Sequence, residues 1–247
     1  MKLTPAMILL IMPLVAAANT ISVGGQSVKV PTPSGYAPVT SEMSELYELQ
    51  KMFVAPTNEE FITFIPEELI PAVLQGEIPE INRRFSVQTA RTIASRAVTS
   101  TDFRGVKDKI RTENDQLIKK VEGQLPGLMG KINEDFSGKY DVNLALSLSQ
   151  LVPLPVHDES ERSLAYSAFI KYNMNDEHGR PATFVSVVTM TLVHVNGRLL
   201  FLYSYGDEND LEWTRRASKE WVTRLISDNP GPLETRATES APSSARG

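Results

Sequence analysis

The sequence contains no cysteine, and this absence excludes several kinds of site at once. Without a thiol, the chain has no disulfide, no zinc thiolate site, no iron–sulfur cluster and no cysteine nucleophile. Histidine is scarce as well: there are 3, at positions 157, 178 and 194, and no two are spaced four residues apart as in helical zinc sites. We therefore expect no metal site.

Positive charge is also limited, because 25 Lys and Arg stand against 30 Asp and Glu, for a net charge of −5. Proteins that coat nucleic acids usually carry a concentrated basic surface, so we expect no nucleic-acid partner. The phosphate-binding motif G-x-x-x-x-G-K-[ST], the dinucleotide motif G-x-G-x-x-G and the hydrolase pentapeptide G-x-S-x-G are all missing. We therefore expect no cofactor and identify no catalytic residue.

A long apolar run occurs only near the N-terminus, from Met7 to Ala18. Lys2 precedes this run and Ala16 to Ala18 resemble a cleavage site, so we predict a secretory signal over residues 1–18. A membrane anchor is the alternative, but such a run spans about 18 Å as a helix, against roughly 30 Å of hydrocarbon. No later run is long enough to span, and there is no Asn-x-Ser/Thr sequon. The bacterial periplasm is the simplest location.

The rest of the chain divides into three parts. Residues 19–26 resemble a short flexible lead-in, and residues 27–228 are expected to form a single domain. Residues 229–247 contain 3 prolines and 2 glycines but one large apolar residue. Such a segment buries too little apolar surface to offset the entropy of ordering, so we predict a disordered tail.

Apolar residues recur at helical spacing in three segments. The first helix follows Ser41, a suitable N-cap, and places on one face Met43, Leu46, Leu49, Gln50 and Phe53. The second covers about 101–122, begins with a capping box from Thr99 to Asp102, and is interrupted by Gly123 and Pro126. The third covers about 209–227, and its inward stripe consists of Leu211, Thr214, Ser218, Trp221, Val222 and Leu225.

Alternating polarity and β-prone composition predict strands at residues 28–30, 61–65, 85–98, 142–149, 164–172, 183–195 and 198–205. The last two are joined by Asn196-Gly197, a strong hairpin signal, because a type I′ turn needs positive φ at both central positions. This turn sets the register: His194 opposes Leu199, Leu192 opposes Phe201, Met190 opposes Tyr203, and Val188 opposes Tyr205.

The last two strands are apolar on both faces, which indicates that the sheet is covered on both sides. The helix from residue 101 and the final helix are the covers that the chain offers. The predicted fold class is therefore α+β: an antiparallel β-sheet covered by helices on both faces, or an α/β/α sandwich.

The order of these elements resembles the PsbP-like fold, named after an extrinsic subunit of photosystem II. The resemblance rests on VKVPTPSGY at residues 28–36 and on NGRLLFLYSY at residues 196–205, which leads into a terminal helix with Trp213 and Trp221. It covers residues 27–228. Many exported bacterial proteins of unknown role share this fold, so the resemblance implies an architecture and no particular activity.

These patterns favour a non-enzymatic exported module that binds an envelope protein or a small ligand, possibilities that include a small-molecule carrier. Three strand tyrosines are candidates for the ligand or partner surface: Tyr166, Tyr172 and Tyr205. The alternative is a periplasmic hydrolase in which a loop histidine, His157 or His178, activates a serine distant in sequence.

Overall fold

The computed structural model describes residues 18–140, 146–175 and 180–231. Its strands are β1 (Ala18–Val23), β2 (Gln26–Pro31), β3 (Tyr36–Pro38), β4 (Asn58–Pro66), β5 (Arg84–Ala90), β6 (Ser147–Pro153), β7 (Asp158–Glu159), β8 (Ser163–Asn175), β9 (Pro181–Val195) and β10 (Arg198–Asp207). Its helices are α1 (Ser44–Met52), α2 (Ile70–Leu74), α3 (Ser100–Tyr140) and α4 (Leu211–Asp228). Nearly all of the predicted signal, most of the predicted tail and His178 lie outside the described residues.

One sheet organises the fold. Its strands follow the order β3-β4-β5-β10-β9-β8-β6, all neighbours are antiparallel, and β7 pairs with β8. Beside it, β1 and β2 form a separate two-stranded hairpin. The prediction of an α+β protein with a large antiparallel sheet is confirmed. Within the described ranges, no helix is long and apolar enough to cross a bilayer.

The β9–β10 hairpin has the register that its turn predicts. Asn196 and Gly197 both have positive φ, 48° and 70°, as a two-residue turn that follows the strand twist requires. The predicted pairs all form: His194 with Leu199, Leu192 with Phe201, Met190 with Tyr203, and Val188 with Tyr205. Alternate residues of β10 consequently contribute to opposite faces of the sheet.

One face of the sheet is covered by α4 and by the β1–β2 hairpin. Trp221 and Leu225 of α4 are buried in a cluster with sheet and hairpin residues, among them Leu200, Leu202, Ile21, Val23, Val28 and Val30. Residues 19–26 therefore belong to the folded unit rather than to a flexible lead-in, because burial of their apolar side chains stabilises the hairpin. The folded unit also extends through Asn229, which is 4% exposed and bonds to both the N–H and the carbonyl of Lys29.

The opposite face carries a second cluster at the start of α3. Phe103 packs there with three buried leucines, Leu164, Leu192 and Leu199. The predicted capping box fixes this end of the helix. The Thr99 hydroxyl accepts a hydrogen bond from the Asp102 N–H at 3.1 Å, and the Asp102 carboxylate accepts one from the Thr99 N–H at 2.9 Å.

Helix α3 does not stop at Gly123 and Pro126 but continues to Tyr140. Tertiary contacts outweigh the low helix propensity of these residues. Met129 and Ile132 are buried with Leu146, and the Asn133 side chain bonds to both the N–H and the carbonyl of Leu146.

Three smaller boundaries also differ from prediction. Ser41 does not cap α1, whose N-cap is Met43 without a side-chain hydrogen bond. Strand β5 ends at Ala90 instead of residue 98, because its partner β4 begins at Asn58, opposite Ala90. Strand β6 begins at Ser147, and the first residues of the predicted strand at 142–149 lie outside the described ranges.

Gly206 lies where any larger side chain would collide with the start of α4. A Cβ atom there would lie 2.5 Å from the Asp210 Cβ and 2.9 Å from its Oδ2. Asp210 is the N-cap of α4 and binds Arg83 through both carboxylate oxygens. Replacing Gly206 with alanine should lower the free energy of unfolding by about 1–3 kcal/mol in urea denaturation, because Asp210 must move.

The matched control is Gly105→Ala, on the exposed side of α3, where a Cβ atom meets nothing within 4 Å. This change should raise stability by roughly 0.5–1 kcal/mol, since alanine loses less backbone entropy in a helix. Equal effects at the two glycines would contradict the assigned contact between Gly206 and Asp210.

Candidate functional site

A cavity of about 200 Å³ lies between α1, the segment after α2 and the β4–β5 end of the sheet. Its wall is apolar and consists of side chains from α1 and the two loops that follow α1 and α2, namely Leu46, Leu49, Phe53, Val54, Ile78, Pro79 and Ile81. Phe53 is 42% exposed and Ile78 is 46% exposed, so an apolar rim faces solvent. Pockets that combine such walls with a few polar groups are typical of small-molecule sites.

The helical periodicity of α1 explains its two roles. Met43 and Leu46 are buried in a cluster with Ile65 and Val73, which anchors the helix on the sheet and on α2. Leu46 also lines the cavity, together with Leu49, Gln50 and Phe53 one turn further along. The apolar face that the sequence predicts therefore packs in the core at the N-terminal end of α1 and forms the cavity wall towards the C-terminal end.

The floor of the cavity is a polar network on β4 and β5. The Glu60 Oε1 atom accepts hydrogen bonds from the Thr63 hydroxyl at 2.8 Å and the Ser86 hydroxyl at 2.6 Å. Gln88 donates to the Ser86 hydroxyl at 3.1 Å and accepts from Asn58 at 3.0 Å. These bonds fix the position of the Glu60 carboxylate.

A β-bulge is the local feature that places Glu60 there. In a regular strand, residues 60 and 63 would point to opposite faces, because side chains alternate with period two. The pairing of β4 with β5 shifts between Glu60 and Ile62, so that Glu60 opposes Gln88 while Thr63 opposes Ser86. The extra residue restores both side chains to the cavity face.

Arg84 supplies the positive charge of the floor. Its guanidinium lies 4.0 Å from the centre of the Tyr205 ring, a cation–π contact, and it forms no ion pair with any carboxylate of the described residues. Burial raises the pKa of Tyr205; the Arg84 charge lowers this pKa and the Glu60 charge raises it. Both charges thus act on the same hydroxyl.

Gln50 of α1 lines the cavity on the side opposite the sheet. Its side-chain Oε1 atom is buried and has no hydrogen-bond partner within the residues that the structure describes. An unpartnered buried acceptor costs about 1–3 kcal/mol of stability. A bound molecule with a hydrogen-bond donor would remove this cost.

The three predicted site tyrosines do not share one cavity. Tyr205 on β10 borders the cavity described above. Tyr166 and Tyr172 both lie on β8, which β9 separates from β10: the Tyr166 hydroxyl donates to the Met190 sulfur at 3.6 Å, and Tyr172 stacks on Phe184 at 4.8 Å. Burial raises the pKa of each of these two tyrosines to about 12.

The histidines that the structure describes serve in packing contacts. His194 bonds to the Val98 carbonyl at 2.7 Å and stacks on Phe103. The His157 Nε2 atom lies 3.1 Å from the Ser167 hydroxyl, but Ser167 is 0% exposed and its oxygen also bonds to Thr189 at 2.8 Å. In the described ranges, no group of three or more His, Asp and Glu is arranged to hold a metal ion.

His157 should make stability depend on pH. Burial, reinforced by the positive charge of Arg215, lowers its pKa below the ordinary value of 6.5. As the pH falls through 6.5, the unfolded chain gains a proton that the folded chain does not, so the free energy of unfolding falls until the lower folded pKa is reached.

Replacing His157 with glutamine should remove this contribution. Urea unfolding of both proteins at about pH 7.5 and about pH 5.5 measures it, and the wild type should lose more stability on acidification than the variant. If both proteins lose the same amount, the burial of His157 does not control this part of the pH dependence.

No protein-family model matches the chain, and no curated protein matches it either. Among solved structures, it is similar to the Ran-binding protein Mog1p of Saccharomyces cerevisiae, with 11% identity, a TM-score of 0.33, and coverage of 87% of this chain and 93% of that chain. It is also similar to cyanobacterial PsbP (CyanoP) from Synechocystis sp. PCC 6803, with 13% identity, a TM-score of 0.32, and coverage of 85% and 92%.

Proposed function

We propose that the protein is a non-enzymatic binding module, exported to the periplasm, that holds a small amphipathic ligand in the cavity beneath α1. The observation that carries the proposal is the composition of the cavity. An apolar wall with an apolar rim stands over a floor that contains fixed polar groups and a buried acceptor without a partner in the described ranges. Such a site gains free energy from desolvating an apolar group and from pairing a polar one.

Export remains part of the proposal, with cleavage of the signal after Ala18 as the sequence pattern suggests. Asn19 would then be the first residue, and its side chain already donates to the Thr32 hydroxyl at 3.0 Å. The N-terminal mass of the protein recovered from an envelope fraction tests this point. A soluble cytoplasmic pool that retains Met1 would contradict it.

We also propose that the domain is an α/β/α sandwich of the PsbP-like type. Helix α4 packs on one face, and the buried position of Phe103 beneath the first turns of α3 supports a helical cover on the other. In this arrangement the cavity beneath α1 lies at the β4–β5 end of the face that carries α3.

Native mass spectrometry of the full chain tests the binding function. We expect an added small-molecule mass on the wild type and on Leu74→Trp, since Leu74 is 51% exposed on α2 and does not line the cavity. Leu49→Trp, which fills the cavity, should remove that mass. If the wild type carries no ligand and binds no amphipathic probe that Leu49→Trp excludes, the proposal fails.

Of the two histidines proposed for the hydrolase alternative, His178 lies outside the described residues, and the His157 Nε2 atom lies 3.1 Å from the Ser167 hydroxyl. Alanine at His157 should leave complementation of a gene deletion intact if the protein is a binding module, and should abolish it if His157 activates a serine. The burial of Ser167 favours the first outcome.

A further inference from the structure

The cavity floor holds charges of both signs within a space of about 200 Å³. Glu60 and Arg84 both line it, and they do not form an ion pair with each other. Two opposite charges that remain apart in one pocket offer separate binding positions for a cationic and an anionic group.

The anionic group belongs at Arg84. A guanidinium has five N–H donors in a planar fork that matches a carboxylate, and the cation–π contact with Tyr205 holds its plane in place. Without a carboxylate partner among the described residues, most of these donors are available to a ligand.

The cationic group belongs at Gln50 and Glu60. The Gln50 Oε1 atom is a buried acceptor without a partner, and the second Glu60 oxygen, Oε2, makes no hydrogen bond within the described part of the chain. An ammonium group has three donors, which can satisfy both oxygens at once.

The size of the cavity limits what else the ligand contains. The volume corresponds to roughly seven water molecules at about 30 Å³ each, so the enclosed part has on the order of ten non-hydrogen atoms. The apolar wall of Leu49 and Phe53 requires that most of these atoms be hydrocarbon.

We propose that the cavity binds an apolar α-amino acid as its zwitterion, with the carboxylate on Arg84, the ammonium on Gln50 and Glu60, and the side chain against the apolar wall. This inference rests on the proposed binding function. A fatty acid would place its carboxylate on Arg84 but leave the Gln50 acceptor and the second Glu60 oxygen unpaired, and an alkylamine would leave Arg84 unpaired. The zwitterion satisfies all three groups.

Isothermal titration calorimetry with the full chain tests the ligand class. L-leucine and L-phenylalanine are the probes, N-acetyl-L-leucine removes the positive charge, L-leucinamide removes the negative charge, and octanoate carries only the apolar group and the carboxylate. At least one of the two amino acids should bind, and each blocked derivative of leucine and octanoate should bind about tenfold or more weakly.

Three variants assign the contacts. Arg84→Gln and Glu60→Gln should each weaken amino-acid binding by about tenfold, whereas Arg216→Gln, on the exposed side of α4, should not change it. Gln50→Met should weaken binding without lowering the thermal midpoint of the ligand-free protein, since it removes an unpartnered acceptor. If Gln50 had a purely structural role, the substitution would lower both the affinity for the amino acid and the thermal midpoint.

The outcomes separate this inference from the proposed function. Octanoate or N-acetyl-L-leucine binding as tightly as leucine would overturn the zwitterion assignment and keep the cavity as a ligand site. The zwitterion assignment is also wrong if neither amino acid binds while another amphipathic probe does. Binding of no amphipathic probe at all would overturn both.

Discussion

Replacement of Trp221 with alanine is expected to lower the free energy of unfolding by about 3–5 kcal/mol. Trp221 is 2% exposed at the centre of the cluster beneath α4, where it makes edge-to-face contacts with Phe64 and Phe85 at 5.9 and 5.1 Å. Its indole N–H also donates to the Pro31 carbonyl at 2.7 Å. The substitution therefore removes a large buried volume and leaves that carbonyl without its partner, which urea denaturation would measure.

The second tryptophan of the chain provides the control. Trp213 also lies on α4, where it contacts Phe85 and the Arg83 guanidinium, but its side chain is partly exposed. Trp213→Ala should cost clearly less than Trp221→Ala, because water already reaches part of the ring. Equal losses would mean that the core is not centred on Trp221.

Replacement of Arg198 with methionine is expected to lower the free energy of unfolding by about 2–4 kcal/mol. The Arg198 side chain is buried at the start of β10 and donates to the carbonyls of Val23 at 3.0 Å and Gly24 at 2.9 Å, and to that of Arg96 at 3.4 Å. Methionine fills much of the same volume but donates nothing, so these carbonyls lose their partner, and the Val23 carbonyl loses it in a buried position.

Arg216→Met is the matched substitution on the exposed side of α4, and it should change stability by no more than about 0.5 kcal/mol. Arg198→Lys should recover part of the loss, since an ammonium group reaches fewer of the carbonyls. The assignment fails if the methionine variants at positions 198 and 216 are equally stable in chemical denaturation.

The parts of the fold that sequence predicts best are those governed by local rules. Asn196-Gly197 determines a two-residue turn, and alternation then sets every pair of β9 with β10. The stripe of α4 is predicted for the same reason, and Thr214, Ser218 and Leu225 are buried. Helix α3 shows the limit of such rules, because its passage through Pro126 depends on contacts with residues beyond its end.

The candidate site is harder to predict because it has no local signature. Gln50, Glu60, Arg84 and Tyr205 come from α1, β4, β5 and β10, and only the tertiary arrangement brings them to one cavity. Glu60 reaches it through a bulge, which alternation in sequence conceals. Tyr205 was identifiable from its strand face, whereas nothing in the sequence separates Glu60 from the other acidic residues.

The contacts of the β1–β2 hairpin bear on when the protein acquires its structure. Arg198 and Asn229 bind backbone atoms of Val23, Gly24 and Lys29, so they join segments 174 to 200 positions apart along the chain. Closing such long loops is slow and depends on the last helix being present. Until α4 and Asn229 have been synthesised, the nascent chain therefore lacks the contacts that cover the hairpin side of the sheet.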